Sequence, residues 1–210
     1  MTIRIATFDI DGTLTIGHGW YFIASLLGRG DDYRRYTAMF RAGKSDEARH
    51  LSNLLSIAEG VSLNRLYSAL EEVPRLRNIA AGIRMLGQAG MEVMLLTHNP
   101  QYVCEWYERR FGFSGHCSAF QAVDGGIVGS ADGVFPDKAA WLKDMCALKG
   151  ISPQEVIHTG DSASDAAVFR TIGHGIAVNS RDREVIKSAG YAINTVDMKD
   201  VARLLLRISE

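Results

Sequence analysis

Apolar and polar positions along this chain fall into two textures. Ile3, Ile5, Ala6 and Phe8 form a short run, and comparable runs recur at Met91 to Thr97, Val156 to Thr159 and Ile176 to Val178. Unbroken apolar runs of this length read as strands covered on both faces, and the stretches between them are long enough for crossover helices. A helix is predicted through Ile83, Leu86 and Gln88, another from about Gln101 to Phe111, and a short strand near Cys117 to Phe120. Val123 to Phe135, rich in Gly and alternating Val, predicts a hairpin, after which Pro136 and Asp137 open a helix with Lys138 in its first turn. From Trp20 to Glu72 the period changes to that of helices: Trp20, Ile23, Ala24 and Leu27, then Tyr33, Tyr36 and Phe40, then Leu51, Leu54, Leu55 and Ala58, then Leu66, Ala69 and Leu70. Polar breaks fall at Gly28 to Asp32, Gly43 to Asp46 and Gly60 to Asn64, so these stripes predict a small helical bundle. The predicted architecture is α/β: a doubly wound, Rossmann-like parallel sheet built from residues 1–15 and 78–210, interrupted by an all-helical insertion over 16–77.

Four of the predicted strands end in polar residues, and ligands of open α/β sheets collect at that edge. The first run leads into Asp9 and Asp11, two residues apart and therefore on one side of an extended chain. The second ends in Thr97, His98 and Asn99, the third in Gly160 and Asp161 with Asp165 at the next helix start, and the fourth at Asn179. Taken singly these have ordinary readings: Asp165 as a helix cap, Thr97 and Asn179 as strand-end or turn residues, Lys138 as a solvated lysine. Taken together, Asp9, Asp11, Asp161 and Asp165 are four apposed carboxylates. Such a set tolerates its own repulsion only with a cation among them or a retained proton, and Mg²⁺ suits a few carboxylates plus water and phosphate oxygens. Gly17, His18 and Gly19 do not make a dinucleotide loop, because Phe22 stands where the third glycine is required.

Bulk properties narrow the partners. A formal charge of −1 over 210 residues gives no electrostatic case for nucleic acid or an anionic membrane. Cys104, Cys117 and Cys146 are an odd set without a CxxC pair, which reads as reduced thiols. Met1 leads straight into the first strand with no room for a signal peptide, and no apolar run is long enough to cross a bilayer, so the expected location is the cytoplasm.

FDIDGTLT at Phe8 to Thr15, Thr97 at a strand end, Lys138 at a helix start and GDSASD at Gly160 to Asp165, in that order, resemble the haloacid dehalogenase superfamily of phosphohydrolases. A helical insertion between the first two motifs is similar to the subfamily that contains phosphoserine phosphatase. The resemblance implies a phosphatase acting on a small phosphorylated metabolite, with Asp9 as nucleophile forming an aspartyl phosphate and Asp11 as general acid and base. It implies Thr97 and Lys138 as holders of the phosphoryl group and the insertion as a cap. It implies Mg²⁺ bound by Asp9, Asp161 and the backbone carbonyl of Asp11, with Asp165 acting directly or through water. Thr13 is expected to shape the turn and bond the Asp11 carboxylate.

The chain departs from the subfamily where substrate is gripped. His98 and Asn99 stand beside Thr97 where glycines are usual, and would touch the leaving group or narrow the pocket. His18 takes the place of the glutamate that holds a substrate amine, and the expected arginine falls near Leu54, with Arg41, Lys44 and Arg49 as candidate replacements. Losing matched polar partners removes discrimination for an amino acid. A phosphotransferase or mutase using the same aspartyl phosphate is the nearest alternative. A receiver-like signalling module is a more distant one, which Asp11 and the helical insertion argue against. Exposed cap helices could pair two copies of the chain into a homodimer.

Overall fold

The computed structural model describes residues 3–129 and 137–209. A six-stranded sheet runs in the order β3-β2-β1-β6-β7-β8, with β1 Ile5–Phe8, β2 Glu92–Pro100, β3 His116–Ala119, β6 Val156–Gly160, β7 Gly175–Val178 and β8 Gly190–Ile193. Every pairing in it is parallel. The chain builds outward from β1 to β2 and β3 on one side, then returns to build β6, β7 and β8 on the other. The carboxyl ends of β1 and β6 therefore flank the switch point where the winding reverses. The two ends are tied together, with the Asp9 amide donating to the Thr159 carbonyl at 2.9 Å.

All four residues of β1 are buried, as its unbroken apolar run requires. Period-2 alternation divides them between two layers. Ile5, Met94 and Leu96 pack with Leu142, Met145, Val168 and Ile172 from α7 Lys138–Lys149 and α8 Ala163–Ile172. Ala6, Phe8, Val93 and Leu95 face the other way, with α5 Ile79–Gln88, α6 Gln101–Phe111 and α10 Met198–Ser209, while α9 Arg183–Ala189 joins β7 to β8. The fourth strand begins one residue earlier than the apolar run, and β2 continues through Pro100 across a register shift after Leu96. A short antiparallel pair, β4 Val123–Asp124 and β5 Ile127–Val128, occupies the first part of the expected hairpin. The rest of that stretch, residues 130–136 with Pro136, lies outside the described residues.

Between β1 and α5 stand α1 Gly19–Leu26, α2 Gly30–Arg41, α3 Glu47–Ser56 and α4 Leu63–Glu72. Asp46 caps α3 through the Arg49 amide at 2.8 Å, and Ser62 caps α4 through the Arg65 amide at 3.4 Å. The chains entering and leaving this insertion pair with each other, through Ile16 N to Pro74 O at 2.8 Å and Leu76 N to Leu14 O at 2.9 Å. Val128 N bonds Val61 O at 3.0 Å and Leu63 N bonds Gly126 O at 2.8 Å, so the hairpin fastens the turn before α4. Trp20, Leu54, Leu55, Leu66 and Leu70 share one hydrophobic cluster with Phe8 and Leu95. The insertion is thus packed onto the sheet's loaded edge. Among the described residues, no helix is long and apolar enough to cross a membrane.

Candidate active site

The floor of the site is a buried ionic chain. Asp9, 5% exposed, follows β1, and its Oδ1 lies 2.8 Å from Nζ of Lys138, which is 2% exposed at the first position of α7. The same Nζ is 2.7 Å from Asp165 Oδ1, and that oxygen is 3.0 Å from His158 Nε2. His158, fully buried in β6, meets the Thr7 hydroxyl through Nδ1 at 2.9 Å. Burial opposes the Lys138 charge, but Asp165 and Asp9 outweigh it and hold the ammonium more firmly protonated than an ordinary lysine. Burial likewise opposes ionisation of Asp165, and Lys138 with His158 overcomes it, leaving the carboxyl well below the usual carboxylate range. Asp9 is pushed upward, chiefly by burial, with Asp165 and Asp11 adding to the effect and Lys138 opposing it.

Asp165 carries a full complement of donors: Lys138 and His158 on Oδ1, and the amides of Asp161 and Ser162 with the Ser162 hydroxyl on Oδ2, all within 3.0 Å. Five donors fill its acceptor sites, so its place is to orient Lys138 and the turn after β6. Asp161 sits opposite Asp9 across that turn. Its Oδ1 accepts from the Thr13 hydroxyl at 3.3 Å, so Thr13 serves Asp161 rather than the Asp11 carboxylate expected of it. Gly12, at φ +77, leaves room for Asp161, since any Cβ there would run into its carboxylate. A Cβ at Gly160 would run into Asp165 in the same way.

Asp11 is held from two sides. The amide of Gly19, opening α1, donates to Oδ1 at 2.6 Å, and Asn99 Nδ2 donates to Oδ2 at 2.8 Å. Asn99 also reaches Thr97, whose Oγ1 accepts from Asn99 N at 3.2 Å and Nδ2 at 3.1 Å. Among the described residues that hydroxyl accepts both bonds and donates none, which leaves its proton for a ligand.

Above this floor is a cavity of about 520 Å³ lined by Asp9, Asp11, Thr97, Lys138 and Asp161 below and by the insertion above. Tyr33, Thr37, Phe40 and Arg41 present one face of α2, and Glu47, His50, Leu51, Leu54 and Leu55 one face of α3. His18, His98 and Asn99 line it as well; His98 sits 5.5 Å from the Trp141 ring and His18 5.7 Å from Tyr33. Arg49 does not line it. On α3 the lining positions 47, 50, 51, 54 and 55 make one helical stripe, and Arg49 is exposed off that stripe, so its expected role in gripping substrate is not supported. Lys44 is exposed too, whereas Arg41 reaches the wall. Three contributors escaped the sequence reading: His158, hidden in an apolar strand; Gly19, whose useful group is its backbone amide; and Glu47, whose helical phase relative to the lining leucines was the available signal.

The donor set fits a divalent cation. One oxygen from each of Asp9, Asp161 and Asp165 lies within 4.8 Å of the others; Asp9 and Asp161 are the two with acceptor sites open to an ion, Asp165 acting on it through its neighbours, and one buried ammonium faces three buried or half-buried carboxylates. The surplus of negative charge appears on Asp161, which burial, Asp9 and Asp165 push up to about 8 from an ordinary 3.8. In metal-free protein the folded state therefore keeps a proton that the unfolded chain has lost. That contribution to stability is present at low pH and disappears as pH rises through about 8. Metal competes for the same carboxylate. The stabilisation of the fold by Mg²⁺, read as the Tm difference between Mg²⁺ and chelator, should widen with pH and level off past about 8. A difference independent of pH would remove Asp161 from the ligand set.

A doubly wound parallel sheet whose first strand delivers an acid pair, beside a second strand end carrying a glycine and an acid, defines a Rossmann-like α/β protein with an acidic centre under a helical insertion. The sequence profile of the haloacid dehalogenase-like hydrolases matches residues 6–170, and the chain belongs to that family. It is 24% identical over 210 residues to a phosphoserine phosphatase of Archaeoglobus fulgidus, spanning 96% of this chain and 60% of the relative. It is 21% identical over 208 residues to a phosphoserine phosphatase of Campylobacter jejuni subsp. doylei, spanning 97% of this chain and all of the relative. The fold superposes on a haloacid dehalogenase family hydrolase from Salmonella enterica serovar Typhi with a TM-score of 0.87 at 19% identity, over 100% of this chain and 72% of that one.

Proposed function

We propose that the chain is a Mg²⁺-dependent phosphomonoester phosphatase that works through an aspartyl phosphate on a small phosphorylated metabolite, with the helical insertion as its cap. The observation that carries this reading is the cavity: a carboxylate pair and a buried ammonium on its floor, closed above by the insertion.

In the first half-reaction an Asp9 carboxylate oxygen attacks phosphorus and the P–O bond to the leaving group breaks. Lys138 and the Thr97 hydroxyl hold the phosphoryl oxygens, and Asp11 gives its proton to the departing alkoxide. In the second, Asp11 takes a proton from water, the water oxygen attacks phosphorus, and inorganic phosphate leaves with Asp9 restored. Asp9, Asp161 and the Asp11 backbone carbonyl would hold Mg²⁺, which supplies charge neutralisation for the phosphate. Asp165 fixes the ammonium that Asp9 shares, so the nucleophile and its counterion stay in register.

The same reading narrows the substrate. Leu54 lies near the position the resemblance gives to a carboxylate-gripping arginine, and Tyr33, Phe40, Leu51 and Leu55 extend an apolar wall beside it. Such a wall favours a leaving group with an apolar or aromatic body, held by area, over a zwitterion held by matched charges. The test is Mg²⁺-dependent phosphate release from a panel of aryl, sugar, polyol and amino-acid phosphates, with Asp9→Asn as the blank. Phosphoserine is expected to be mediocre within the panel. If it leads by orders of magnitude, Arg41 and Glu47 on the cap wall become its anchors and the apolar-wall reading falls.

A further inference from the structure

Asn99 has neighbours on both sides of the boundary between core and cap. Its Oδ1 accepts from the Trp20 indole Nε1 at 3.0 Å, and its Nδ2 donates to Asp11 Oδ2 at 2.8 Å and Thr97 Oγ1 at 3.1 Å. Trp20 and Asn99 are 3% and 4% exposed, so these bonds have little competition from water. The indole N–H is a donor only, so it takes the Asn99 oxygen and leaves the Asn99 amide nitrogen for Asp11 whichever protonation state Asp11 is in. Reversing the amide would set two donors against each other at Trp20. The tryptophan therefore dictates which end of Asn99 faces the acid.

Trp20 follows Gly19, whose amide holds the other oxygen of Asp11 at 2.6 Å. Both oxygens of Asp11 are thus fixed by the first turn of α1, one directly and one through Asn99. The geometry points to Asn99 as a positioning residue for Asp11, set in its working orientation by the docked Trp20 indole, so that seating of the first cap helix assembles the general acid. This rests on the reading of Asp11 as the group that protonates the leaving oxygen. Side chains that hold a proton donor in line act on the transition state, and small misplacements of such a donor are costly.

The leaving group separates this role from a structural one. An alkyl phosphate needs a proton on its departing oxygen, whereas 4-nitrophenyl phosphate loses a stable phenolate without one. In Asn99→Leu, kcat should fall about 10- to 100-fold on the best alkyl ester of the panel and much less on 4-nitrophenyl phosphate, with KM changing little. Trp20→Phe, which keeps the ring and removes the N–H, should show the same selectivity at smaller size. Equal losses on both esters, or a loss confined to KM, would overturn the proposal.

Asp11→Asn calibrates the comparison. If it lacks the leaving-group selectivity, the general-acid reading itself fails; if it shows the selectivity and Asn99→Leu does not, only the positioning role fails. A readout independent of turnover is the Trp20 indole N–H resonance, assigned by its absence in Trp20→Phe. It should be slow to exchange with solvent in the unaltered protein and fast in Asn99→Leu. Fast exchange in the unaltered protein would overturn the bridge regardless of activity.

Discussion

Replacing Asp9 by asparagine should abolish phosphate release, by on the order of 10⁴-fold or more, while leaving the fold intact. The amide keeps the size of the carboxyl and loses the nucleophilic oxygen pair, so no phosphoryl-enzyme can form. Stability should not suffer in proportion. Burial and two neighbouring acids already push the Asp9 carboxyl upward, which means that its charge is a burden on the folded state at neutral pH. Lys138 loses one partner but keeps Asp165 at 2.7 Å. In chelator, the Tm of Asp9→Asn should therefore equal or exceed that of the unaltered protein, while its turnover in Mg²⁺ stays at the background rate. Measurable residual turnover, beyond what spontaneous deamidation returns, would move the nucleophile elsewhere.

Lys138→Met is expected to do the opposite, damaging fold and chemistry together. The ammonium is 2% exposed and is shared between Asp9 and Asp165, so its loss strands two buried anions. Breaking a buried pair in this way costs about 3–5 kcal/mol, enough to lower Tm by on the order of 10 °C in a domain of this size. Turnover should fall by about 10²- to 10³-fold or more, since the cation also offsets the negative charge of the phosphoryl group. The two effects can be separated. Adding Asp165→Asn should return part of the lost stability, because one stranded charge is gone, and none of the turnover. A Tm for Lys138→Met unchanged from the parent would mean that water or protons satisfy the two acids without it.

The parts of this arrangement that were legible in the sequence are those whose chemistry depends on chain-local pattern. Asp9 and Asp11 share a side because extended chains repeat every two residues, and the helical insertion declares itself through apolar stripes at i, i+3 and i+4. Met198, Val201, Ala202 and Leu205 carry the same spacing on α10, a helix that is absent from the predicted elements although its stripe is present in the sequence. β8 was harder, being a short, largely exposed edge strand opened by a glycine.

What remained invisible depends on pairings between distant positions. His158 reads as one polar residue in an apolar strand until the fold sets it between Thr7 and Asp165. Trp20 reads as core, and it is core; only the Asn99 carbonyl, 79 positions away, gives its N–H a purpose. Arg41 and Arg49 were indistinguishable as candidate anchors because both lie on polar helix faces. Three-dimensional phase alone put one on the cavity wall and the other in solvent.

The glycines beside the acids carry a consequence for how such a centre can be transplanted. Gly12 follows Asp11 in the chain but makes room for Asp161, and Gly160 precedes Asp161 but makes room for Asp165. Gly19, eight positions beyond Asp11, is pressed against that acid so closely that a Cβ would collide with it. The first motif thus holds the clearance that the last motif's Asp161 occupies, the last motif clears its own Asp165, and the first turn of α1 clears Asp11. Grafting the first motif onto a new scaffold would bring a nucleophile and an empty seat for its partner acid, and grafting the last would bring Asp161 with no clearance to enter. The unit that can be inherited, copied or designed is the interlocked set with the strand spacing between them, not any one of its signatures.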